Sequence, residues 1–90
     1  MSTTCTVRVA SPLRSYTHGA ASVEARGGTV EDVLADLEAR FPGMRFRMVD
    51  EQHAIRRHIR IFVNTRETRA LADVVNPGDE VHLICALSGG

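Results

Sequence analysis

The residues best suited to chemistry in this 90-residue chain are its last four, Leu87-Ser88-Gly89-Gly90. Glycine has no Cβ, so a terminal Gly90 carboxylate would fit a narrow channel and leave its carbonyl carbon open to attack. Counted from Ala86, five residues extend on the order of 17 Å, enough to carry that carboxylate from the end of a sheet into another protein's active site. Gly89 would let such a tail lie flat in a partner's groove, with Ser88 beside it and Leu87 anchoring it at the entrance.

No other residues form a catalytic pattern. His18, His53, His58 and His82 show no metal-ligand spacing, and there is no C-x-x-C. Cys5 and Cys85 fall on expected core faces of strands without an evident His or Arg partner, so they read as buried thiols. Ser88 lacks the G-x-S-x-G setting of a hydrolase nucleophile. The expectation is therefore no intrinsic catalytic residue, no metal site and no bound cofactor.

Composition narrows the possibilities further. With 43% apolar and 24% charged residues the chain should fold around one modest core, as a free monomer. Its 11 basic residues balance 11 acidic ones, which argues against a nucleic-acid module. Two cysteines are too few for a disulfide scaffold or a four-cysteine cluster. The opening MSTTCTVRVA lacks a basic segment followed by a long apolar run, so a cytoplasmic location and no membrane association are expected. All the basic residues are arginine, so the chain carries no lysine amine. The charges are also unevenly spread. Residues 40–69 hold eight Arg against three acids, a net of +5, and residues 21–39 hold five acids against Arg26, a net of −4. Such polarity would orient a docking partner.

These residues need a scaffold, and the patterning supplies one. TCTVRVA at residues 4–10 alternates as a half-buried strand and pairs, across a long loop, with a second strand at Ser22 to Ala25. Thr29 is a helix N-cap followed by Glu31 and Asp32 in the first turn, and Val30, Val33, Leu34, Leu37 and Phe41 form one apolar stripe up to Pro42-Gly43. Residues 44–57 fit neither period and read as a loop carrying one turn. His58 to Val63 reads as a central strand with imperfect alternation, and Glu67 to Val75 as a short edge strand with a helical turn. Asn76-Pro77-Gly78-Asp79 turns the chain into EVHLICAL, where Val81, Leu83 and Cys85 share a face. Phe62, Val81 and Leu83 are expected in the core or in a partner-facing patch. The fold class expected is α+β: a mixed four- to five-stranded sheet with one main helix packed on one face, and the first and last strands parallel and adjacent at its centre. Residues 1–85 would form this domain and residues 86–90 a flexible tail.

The first strand followed by SPLRSYTHG, the helix TVEDVLADLEARFPG, the strand IRIFVNTRETR, the turn NPGDEVHLI and the ending ALSGG together resemble the sulfur-carrier proteins of the ubiquitin-like β-grasp superfamily. That group includes the small subunit of molybdopterin synthase and the carriers of thiamine and cysteine biosynthesis, and this chain looks most similar to the cysteine-biosynthesis type. The resemblance implies a cycle at Gly90. An ATP-dependent activating enzyme joins the carboxylate to AMP, sulfide or an enzyme persulfide displaces AMP, and the resulting thiocarboxylate donates sulfur to a biosynthetic enzyme making cysteine, a thiosugar or another sulfur-containing metabolite. The carrier is then a substrate of its partners and not itself an enzyme. Two other roles fit the same tail and fold: a protein modifier conjugated through Gly90, and a non-covalent interaction domain using the Arg-rich middle.

Overall fold

The computed structural model describes residues 4–86. Its five strands are β1 (Thr4–Val9), β2 (Ser22–Arg26), β3 (Ile59–Val63), β4 (Arg66–Thr68) and β5 (Glu80–Cys85), with helices α1 (Val30–Arg40) and α2 (Met44–Met48). They form one mixed sheet in the order β2-β1-β5-β3-β4. The first and last strands run parallel at its centre, Val7 opposite Val81 and Val9 opposite Leu83, and every other pairing is antiparallel. This is the β-grasp arrangement that the strand patterning predicts.

Strand periodicity sorts the side chains by face. Cys5, Val7, Val9, Ala25, Ile59, Ile61, Val63, Val81 and Leu83 are buried, and the α1 stripe of Val30, Val33, Leu34 and Leu37 is fully buried with them. Val81 and Leu83 are thus core residues, whereas Phe62 is only half-buried, opposite His82 on the uncovered face. The alternation in β3 is clean, correcting the imperfect reading of that strand. It lies beside β5 but is buried on one face only, with Arg60 exposed.

Local signals at α1 work as their chemistry dictates. The Thr29 hydroxyl accepts the Asp32 N–H at 3.1 Å, and Arg40 in the last turn ion-pairs with Asp36 at 3.2 Å. At the Asn76–Asp79 turn the Asp79 N–H reaches the Asn76 carbonyl at 3.0 Å, and the Asp79 carboxylate accepts the Asn76 N–H at 2.9 Å. In place of the helical turn expected before Val75 there is a single tight turn, Asp73 N–H to the Ala70 carbonyl at 3.1 Å. Among the described residues no helix is long and apolar enough to cross a membrane.

The principal refinement is α2, a five-residue helix where the sequence reads as a loop carrying one turn. Its Met44 and Met48 are one turn apart and fully buried, while Phe46 and Arg47 point outward. Five residues are too few to display a period, and what secures them comes from α1. The Glu38 carboxylate accepts the N–H groups of Gly43 at 2.9 Å and Arg45 at 3.0 Å, bonds that hold its pKa below the ordinary value. Arg45 makes a two-pronged bond to Glu31, at 2.6 and 3.0 Å.

Gly27, between β2 and α1, has a packing role. A Cβ built there would sit 2.7 Å from the backbone nitrogen of Val33 and from the Asp32 Cβ, so strand and helix approach over a bare backbone. Gly27→Ala is expected to lower unfolding stability by about 1–3 kcal/mol, the range for overpacking a tight contact. Chemical denaturation of the two proteins checks it.

Candidate functional site

The residues singled out by sequence, Leu87, Ser88, Gly89 and Gly90, lie outside the described residues. What the structure defines is the ground from which they depart. Cys85 pairs with Ile59 at the end of β5, and the Ala86 N–H then donates to the His58 carbonyl at 2.7 Å. Two surfaces flank this point.

On the uncovered face of the sheet Ile84 is 41% exposed and stands opposite Arg60. It borders a shallow groove with Arg8, Arg14 and His82. The charges here are mutually engaged: Arg8 and His82 both approach Glu80, at 3.6 and 3.2 Å, and Arg60 meets Glu67 at 3.3 Å. The other flank is formed by α2 and the loop before β3. Phe46, Arg47, Arg56 and His58 line a groove of about 300 Å³ there, and Phe46 is 57% exposed. The Arg56 guanidinium stacks 4.6 Å from the centre of the Phe46 ring and donates to the Phe46 carbonyl at 2.8 Å.

The Arg-rich middle is therefore not one basic patch. Arg40 and Arg45 pair with acids of α1, Arg60 with Glu67 and Arg66 with Asp73. Arg69 donates to the carbonyls of Ile55, Arg56 and Ile59, fixing the loop that carries His58. Much of the charge separation along the sequence cancels in space. Arg47 and Arg57 remain, their guanidinium groups making no hydrogen bond or ion pair among the described residues.

These groups suit docking better than catalysis. Cys5 is a buried free thiol, as expected, whereas Cys85 is only half-buried, and the two stand at opposite ends of neighbouring parallel strands. Burial raises both pKa values, partly offset at Cys85 by the charge of Arg47, so neither is primed as a thiolate. Among the described residues no group of three or more His, Cys, Asp or Glu side chains is placed to hold a metal ion. The Arg-rich segment is evident in the sequence, whereas the exposure of Phe46 is not. The available signal was an aromatic residue set between Arg45 and Arg47, outside any apolar stripe.

Comparison with known proteins agrees with this fold along nearly the whole chain. The model of the ThiS family matches residues 7–90. The sulfur carrier protein CysO of Mycobacterium tuberculosis (strain ATCC 25618 / H37Rv) is 36% identical over 90 residues, covering 94% of this chain and 97% of that protein. The crystal structure of the Amycolatopsis orientalis BexX/CysO complex contains a chain that superposes with a TM-score of 0.89 at 36% identity, covering 96% of this chain and 99% of that one. The crystal structure of M. tuberculosis CysO superposes with a TM-score of 0.88 at 34% identity, covering 92% and 99%.

Proposed function

The chain belongs to the ThiS family, and from that premise we propose that it is a sulfur carrier whose Gly90 carboxylate is activated, converted to a thiocarboxylate and spent as a sulfur donor. The observation that carries this reading is the near end-to-end similarity to a sulfur carrier protein, within a family match that takes in Ser88, Gly89 and Gly90. The chemistry follows from the electrophile. A free carboxylate resists attack, because oxide is a poor leaving group. In the activating enzyme a Gly90 oxygen attacks the α-phosphorus of ATP and pyrophosphate leaves. Sulfide then attacks the acyl carbon, AMP departs with that oxygen, and one oxygen of the carboxylate has been replaced by sulfur.

The side chains described here act on neither bond. The backbone ladder holds β5 in the sheet and brings Ala86 to the end of that strand beside His58, while ATP binding and catalysis belong to the partner. A chain related to this one is found in complex with BexX, which supports a role exercised through partner proteins. The cytoplasm, where ATP is at hand, is the compartment that suits the reaction. The test is an intact-mass measurement after incubation with the cognate activating enzyme, ATP and sulfide. Exchange of one oxygen for sulfur is expected, and an unchanged mass would refute the proposal.

A further inference from the structure

We propose that Phe46, Arg47 and Arg57, together with the Arg56 that stacks on Phe46, form a docking surface for the activating enzyme, to an acidic patch of that enzyme surrounding an apolar pocket. This rests on the sulfur-carrier reading and adds where the enzyme grips the folded domain. Two surfaces flank the end of β5, and their electrostatics differ. On the uncovered sheet face Arg8, His82 and Arg60 are engaged with Glu80 and Glu67, so a partner's carboxylates would have to compete with acids already there. On the α2 flank Arg47, which lines the groove, and Arg57, exposed in the chain between the groove residues Arg56 and His58, have no such engagement among the described residues. Incoming carboxylates would gain contacts there without breaking any.

Phe46 supplies the anchor. It is the most exposed large apolar side chain described, with Arg56 stacked on it, and its ring has only two side-chain torsions to fix on binding. Its two sides are unlike. Arg47, Arg56 and His58 line the groove on one side, while Asp50, Glu51 and His53 help to line the groove on the other. An acidic partner is thereby directed to the side where His58 receives the Ala86 N–H. A protein gripping this flank also stands over the point from which residues 87–90 must enter its active site.

Binding of the full chain to the activating enzyme should be measured by titration calorimetry without ATP, so that association is read apart from sulfur transfer. Phe46→Ala and the double variant Arg47→Glu/Arg57→Glu should each weaken binding on the order of tenfold or more, the loss expected on removing an interface anchor. Arg26→Glu, on the far edge strand β2, should bind as the parent does. Added salt should weaken the parent but not the double variant, whose introduced glutamates repel the acidic patch until salt screens them. At saturating carrier the maximal loading rate of each variant should equal the parent's, placing the defect in association. Parent and variants should share one unfolding midpoint, since the substituted side chains are exposed. Binding by both variants within about twofold of the parent, a spread too small for an anchor, would overturn the proposal, as would the absence of parental binding. Parental binding without any oxygen-for-sulfur exchange would instead refute the sulfur-carrier reading.

Discussion

Removal of Gly89 and Gly90 is expected to abolish sulfur loading while leaving the domain folded. The shortened chain still ends in a carboxylate, on Ser88, so the experiment separates chemical identity from reach. Two residues correspond to about 7 Å of extended chain. A displacement of even about 1 Å from the reacting geometry can cost a hundredfold in rate, so at least that loss is expected in an intact-mass time course. The fold should not register the change, because the buried apolar core runs from Cys5 to Leu83. An unchanged denaturation midpoint would show this. Gly90→Ala should give a milder defect, since it adds one methyl beside the carboxylate whose oxygen must reach the α-phosphorus and whose carbon sulfide must attack.

The second large effect concerns the core. Leu34 is fully buried on α1, and Leu34→Ala should lower unfolding stability by about 2–5 kcal/mol through lost transfer energy and the cavity left behind. Against the roughly 5–15 kcal/mol that holds a typical domain together, this is a severe loss. Phe46→Ala removes more apolar surface, yet should change stability little because that ring lies mostly in water. Equilibrium denaturation of the two variants side by side would check whether these side chains divide as their burial indicates.

Much of the fold is legible in the sequence, because its main devices are local. The β1 alternation, the Thr29 cap, the α1 stripe and the Asn76–Asp79 turn each lie within a few residues and carry their own period or capping chemistry. The α2 helix is not legible, because Glu38 and Glu31 secure it from another element. The same long-range pairing defeats a reading of charge by sequence segment. Eight arginines between residues 40 and 69 suggest a basic face, but the fold brings most of them to acids or backbone carbonyls, leaving Arg47 and Arg57.

The candidate site divides in the same way. The importance of Gly90 is legible because glycine leaves its carboxylate unhindered, while the chemistry proposed for it comes from the resemblance to the sulfur carriers. The grip proposed beside it is not, since Phe46, Arg56 and His58 converge only once α2 and the loop before β3 have packed at the end of β5.

The most direct test of the central claim is to locate the acquired sulfur atom by fragmenting the intact loaded protein in a mass spectrometer. The expected result is a single exchange of oxygen for sulfur confined to the fragment containing Gly90, persisting after reductant and unchanged when Cys5 and Cys85 are both replaced by serine. A sulfur atom added at Cys5 or Cys85 and released by reductant, with Gly90 unmodified, would contradict the account.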